Sequence, residues 1–241
     1  MNGGIYVALS GAVAQQTSLE STATNLANAS TQGYQKLRPV FHEALGKARA
    51  DRTLRYSSVD RTTIDATPQP VRVTGRTHDV ALEDGHYLAV TTDRGERYTR
   101  AGSLVVGRTG ALTTSSGHRV LGENGKPIDL GDSTGTVTLA QDGSVLVGGE
   151  VQGRIRVVRF DAPAELSHDG ESLLAATTTS GSASVVQSTL TVGSLNDSNA
   201  SPVSGMNELI SASRSFEAFQ RAIDAFREID RAAVTKVAGV E

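Results

Sequence analysis

The chain has 241 residues with 4% aromatics, 25 glycines, no tryptophan and no cysteine, which excludes disulfides, thiolate metal sites and cysteine nucleophiles. This is thin core material for a large α/β enzyme and suits turn-rich β structure with close helix contacts. A net charge of -3 with scattered cations leaves no basic face for nucleic acid, and no run approaches the roughly 20 apolar residues of a membrane span.

Residues 4 to 28 predict a helix. Ile5, Leu9, Ala12, Gln16, Leu19, Ala23 and Leu26 follow at alternating steps of four and three, the spacing of a coiled-coil seam. Its one charged side chain is Glu20, and the other faces carry Ser, Thr, Gln, Asn and Ala, which invites helices on several sides. The first cation is Lys36, so the opening segment lacks the basic start of a secretory leader. Ala29 to Gly33 supplies turn residues that stop the helix.

Residues 35 to 75, with mixed charge and prolines at 39, 68 and 70, read as an extended connector with short strands. From 76 to 192 short β-prone runs alternate with turn signals such as Asp84-Gly85, Asp93-Arg94-Gly95 and Asp142-Gly143, predicting a central antiparallel β domain. A return linker over 193 to 201 leads to a second helix, with Ser201 as N-cap, Pro202 in the first position and Gly239 as its end. Its stripe is Leu209, Ala212, Phe216, Phe219, Ile223 and Phe226, extended by Ala233 and Val237. The expected fold is therefore α+β. Residues 1–34 and 202–241 form a discontinuous helical domain paired like a coiled coil, and an all-β domain lies between them. Ordering two such helices costs more backbone entropy than their few large side chains return, so both termini are expected to fold only on assembly.

No catalytic, cofactor or metal residue is expected. Gly131-Asp132-Ser133-Thr134-Gly135 matches the nucleophile-elbow pattern, and a serine hydrolase using Ser133 is the rival reading from another class. That chemistry needs a helix after the serine, however, and Thr136 to Ala140 reads as a strand. Gly122 to Pro127 has a proline where a phosphate loop needs Ser or Thr and reads as a hairpin turn. The histidines at 42, 78, 86, 118 and 168 show no ligand spacing and are expected in solvent or in local hydrogen bonds. Asp79, Glu83 and Asp84 read as solvated turn acids. A β-rich binding module that its helices merely trimerise is the remaining alternative.

Thr24-Asn25-Leu26-Ala27-Asn28-Ala29-Ser30-Thr31-Gln32-Gly33-Tyr34 closely resembles the N-terminal signature of the flagellar basal-body rod and hook family. Asp79-Val80-Ala81-Leu82, Tyr98-Thr99-Arg100-Ala101-Gly102 and Gly193-Ser194-Leu195-Asn196-Asp197-Ser198-Asn199 resemble its later motifs in order. Asn196 stands where that family usually has Glu, and Asp84 and His86 replace two glycines. The resemblance implies a structural subunit of the proximal-rod type, with the distal-rod type second. It further implies partners that are copies of itself, other rod proteins and the flagellar type III export apparatus, and delivery without a cleaved signal peptide. The assembly residues it points to, with the two stripes, are Ile5, Leu9, Leu19, Asn25, Leu26, Asn28, Leu209, Phe216, Phe219, Ile223 and Phe226.

Overall fold

A computed structural model describes residues 3–47, 53–131, 136–170 and 172–238. It shows two helices and a central antiparallel β region, an α+β chain that divides into two compact units. Ser133 and Gly239 lie outside the described residues, as do the side chains of Ala233 and Val237.

The first unit comprises Met1–Ala27, Leu37–Thr62 and Ser201–Glu241. It holds α1 (Gly3–Ala27), the antiparallel strands β1 (Leu37–Lys47) and β2 (Thr53–Ile64, which ends in the second unit), and α2 (Pro202–Ala238). The stretch read as a connector with short strands thus forms a two-stranded sheet of 11 and 12 residues. Ser201 caps α2 as expected, its Oγ accepting from the N–H of Ser204 at 3.4 Å.

The second unit comprises Asn28–Lys36 and Thr63–Ala200. Its main sheet runs in the order Ser167–His168, Leu173–Ala175, Gly95–Thr99, His86–Thr92, Arg119–Val120, Leu112–Thr114 and Leu104–Val106. His86–Thr92 is long enough to take two partners on one edge: Val157–Arg159 against His86 to Leu88, and Arg119–Val120 against Val90 and Thr91. A second sheet joins Val137–Leu139, Ser144–Val147 and Glu150–Arg154. Valines and leucines from both sheets close one core, in which Leu88, Val90, Leu112, Val120 and Val145 are fully buried. Strand Val137–Leu139 alternates buried, exposed, buried, as a sheet with one wet face requires. Phe160 sits edge-on to both Tyr87 and Tyr98, with centroids 5.9 and 4.8 Å apart, which gathers three aromatic rings into one cluster.

The turns behave as their sequence predicts. Gly122 to Pro127 is a hairpin turn in which the N–H of Gly122 donates to Lys126 O and that of Gly125 to Gly122 O. At Asp142-Gly143 the N–H and hydroxyl of Ser144, with Arg154, hold the Asp142 carboxyl down to about 2. Asp79 departs from expectation: it is buried and accepts from the Thr74 hydroxyl at 2.7 Å, with the Arg76 guanidinium 3.4 Å away.

Candidate functional site

In the first unit α1 and α2 run antiparallel, with Gly4 level with Phe226, Gly11 with Phe219, and Leu26 with Gly205. The two phenylalanine rings lie where side chains of the glycines would be. A Cβ on Gly4 would come within 2.9 Å of the Phe226 ring, and one on Gly11 would overlap Phe219. Both pairs are spaced by seven residues, so α2 seats its aromatics in glycine sockets two turns apart on α1.

This arrangement accounts for the fate of the expected stripes. On α2, Leu209, Phe216, Phe219 and Ile223 are half-buried, Ala212 is buried and Phe226 is at the exposed margin. On α1 the reading misplaces the contact: Ala12 is buried and Ile5, Leu19 and Leu26 are half-buried, but Leu9, Gln16 and Ala23 are exposed. The contact with α2 uses the small residues instead, because a backbone without side chains admits a ring more closely than a leucine does.

Asn25 is buried and faces β1. Its Nδ2 donates to Leu37 O at 2.9 Å, and its Oδ1 accepts from the N–H of Leu37 at 2.7 Å. One side-chain amide thus pairs with a whole peptide unit, as a neighbouring strand would, and ties β1 to α1.

In the second unit five separate stretches meet in a polar knot. The N–H of Gly33 donates to Asn196 O and that of Lys36 to Asn199 Oδ1, while Asn199 Nδ2 donates to Asp65 O. Asn196 repeats the clasp of Asn25: Oδ1 accepts from Leu82 N–H at 2.8 Å and Nδ2 donates to Leu82 O at 3.2 Å. Glu there would lack the donor for Leu82 O. Gln69 Nε2 donates to Tyr34 O, and its Oε1 accepts from Arg100 Nε at 2.6 Å. Arg100, only 2% exposed, also donates to the carbonyls of Leu82, Glu83 and His86 and lies against the Tyr87 ring. Burial pulls its pKa down from the ordinary guanidinium value. Gly33 has φ +66°, and a side chain there would strike the backbone of Arg100 and Ala101. Asn28 accepts from Thr31 through both its carbonyl and its side chain, closing the turn after α1.

Three stretches of the chain match known protein families. Residues 5–35 match the flagella basal body rod protein family, residues 81–147 the D1 domain of flagellar hook protein FlgE/F/G, and residues 191–235 the C-terminal region of flagellar basal body rod FlgEFG proteins. The FlgF rod protein of Caulobacter vibrioides is 31% identical over 243 residues, with 98% of each chain covered. The chain belongs to the flagellar basal-body rod family. FlgF of Escherichia coli is 36% identical with 90% of this chain and 91% of its own covered, and FlgG of Bacillus subtilis 29% with 93% and 95%.

As a member of the rod family the chain is a structural subunit of the flagellar basal-body rod, and the hydrolase reading has no support among these relatives. No group of three or more His, Asp or Glu able to hold a metal ion occurs among the described residues, and no described helix is long and apolar enough to cross a membrane. The segments that carry the rod-family resemblance are the ones that converge here: 33–36, 82, 100 and 196–199 all lie in the knot. Sequence reasoning missed Gly4, Gly11, Gln69 and Arg100. The seven-residue repeat of Gly4 and Gly11 opposite Phe219 and Phe226 was the available signal for the first two.

Proposed function

We propose that the chain is a proximal-rod subunit of the FlgF type whose helix pair joins it to neighbouring rod subunits, so that the stacked rod carries torque through the periplasm. The near-complete reciprocal coverage with an FlgF protein supports the type. One observation carries the assembly reading: each helix keeps a second, exposed apolar stripe at opposite ends of the pair. On α1 it is Tyr6, Leu9 and Val13, which are 59%, 51% and 52% exposed; on α2 it is Val203, Met206 and Ile210, at 72%, 55% and 52%. By the glycine–phenylalanine register the two stripes are centred roughly 20 Å apart along the axis at 1.5 Å per residue. They cannot cover each other within one chain. Paired head-to-tail between subunits they make a heterologous contact, which propagates as an open helix. Tyr6, Leu9, Val13, Gln16 and Glu20 keep the four-and-three spacing, so the coiled-coil-like pairing belongs to this contact between subunits.

Copies of the chain and other rod proteins are the partners this reading gives. Delivery by the flagellar type III apparatus without a cleaved leader follows from the family resemblance. The test is incorporation in a strain lacking the native gene. Leu9→Asp and Ile210→Asp should each abolish swimming while leaving the β unit folded, because neither side chain lies in the sockets. Normal swimming by both variants would overturn the assembly reading.

In dilute solution the backbone entropy of ordering α1 and α2 exceeds what their glycine-lined contact returns. Amides of residues 3–27 and 202–238 should therefore exchange almost as fast as in an unfolded chain. Those of Ala89 and Leu121, bonded to Arg156 O and Ala89 O inside the β unit, should stay protected. Comparable protection in the helices of the dilute monomer would show that they fold before assembly.

A further inference from the structure

Four of the five histidines, His78, His86, His118 and His168, are half-buried. His86 is half-buried with Nδ1 2.9 Å from the Ser188 hydroxyl. His168 is half-buried at the end of the main sheet and meets Tyr34 edge-on, centroids 5.4 Å apart at 69°. Its Nδ1 accepts from the N–H of Gly170 at 3.3 Å, which leaves the proton on Nε2, and Nε2 is buried without a hydrogen-bond partner. Tyr34 is fully buried, and its carbonyl is held by Gln69, which is held in turn by Arg100.

We propose that His168 is a proton-operated latch on Tyr34, and that a second proton on its ring releases residues 33–36, the stretch leading from α1 into the β unit. The argument is geometric. Protonation puts a hydrogen on Nδ1, so that atom can no longer accept from Gly170 and the two donors face each other. The charge then sits on a half-buried ring whose Nε2 is shut off from water and has no acceptor, a costly arrangement for an ion. Asp169 offsets it only in part. Asp169 already pairs with both Arg94 and Arg97, so the cluster carries a net positive charge before the imidazole gains its own. Tyr34, whose hydroxyl burial pushes up to about 12, supplies no negative charge. Burial accordingly lowers the pKa of His168 from the usual 6.5, with Asp169 opposing. The unfolded or opened chain therefore binds the proton first. Opening is unaffected above about pH 6.5 and becomes easier as the pH falls below it.

The test is amide hydrogen exchange of the full-length chain, with rates divided by the intrinsic exchange rate at each pH. Between pH 7 and pH 5 the protection of Gly33 and Lys36, bonded to Asn196 O and Asn199 Oδ1, should fall relative to Leu121. His168→Phe, which keeps a ring against Tyr34 and cannot titrate, should abolish the fall, and His86→Asn should leave it intact. Should His168→Phe not fold, the imidazole of the native chain is titrated directly by NMR, and it should protonate below 6.5 in step with the loss of protection. Equal loss in His168→Phe, or an imidazole titrating at or above 6.5, would overturn the latch. So would protection that rises on acidification, since the Tyr34 ring would then be stabilising the imidazolium.

Discussion

Arg100→Leu should lower the stability of the β unit by about 3 to 5 kcal/mol, the usual scale for breaking a buried, hydrogen-bonded charged group. The leucine fills most of the space but supplies no donor. Gln69 Oε1 then loses its charged donor in a buried place, the His86 carbonyl loses the guanidinium too, and the carbonyls of Leu82 and Glu83 are left with Asn196 Nδ2 and the N–H of His86. The guanidinium is there as a branching donor rather than as half of an ion pair. The nearest carboxylate, Asp84, is 3.5 Å away and 61% exposed, so its attraction is largely screened. Lys would keep the charge yet could not reach both Gln69 and carbonyls on the far side, so Arg100→Lys should rescue little. Arg72→Ala is the control: its pairing with Asp197 is exposed and should matter by less than about 1 kcal/mol. For a unit of this size the Arg100→Leu loss corresponds to a fall in Tm of roughly 10 °C, read by circular dichroism of the β signal. A shift within a degree or two of Arg72→Ala would mean the carbonyls find other donors and the knot is not what holds these stretches together.

The features legible in the sequence are those set by a few neighbouring residues. Ser201-Pro202 starts a helix and Asp142-Gly143 turns a hairpin whatever lies beyond, because cap and turn chemistry is local. The α2 stripe was legible because its contact residues are large. On α1 the same rule failed, since a period search weights Leu9 above Gly11, whereas here the glycine takes the ring and the leucine stays outside. Short strands were expected over 35 to 75, but the length of β1 and β2 was not, for a related reason: Leu37–Lys47 contains Pro39 and Gly46 and shows no clean alternation. The buried roles of Arg100, Asn196 and Asp79 had no local sign at all. Asn196 clasps a peptide 114 residues away, and a polar residue bound for the interior looks like any surface residue until its partner is known.

The glycine sockets make the sharpest test of the helix pair. Gly11→Leu should abolish incorporation into the rod while leaving the Tm of the β unit unchanged. Two effects of the substitution oppose each other. Within an isolated helix it helps, because replacing Gly by a good helix former is worth roughly 0.5 to 1 kcal/mol. At the contact it hurts, because the new side chain claims the space of the Phe219 ring, whose nearest atom already overlaps the place where a Cβ would sit. Overpacking of this kind costs about 1 to 3 kcal/mol or more, and a helix pair made largely of small side chains has little stability to lose. Gly11→Ala should lie between, since its single carbon already overlaps the ring. The decisive variant is the double one. If Phe219 occupies a socket at Gly11, trimming it in Gly11→Leu/Phe219→Ala should restore part of the swimming lost in Gly11→Leu alone, a coupling that independent sites would not produce. A double variant worse than either single one would place the two residues in different contacts, and the register that sets the 20 Å offset of the outer stripes would fail with it.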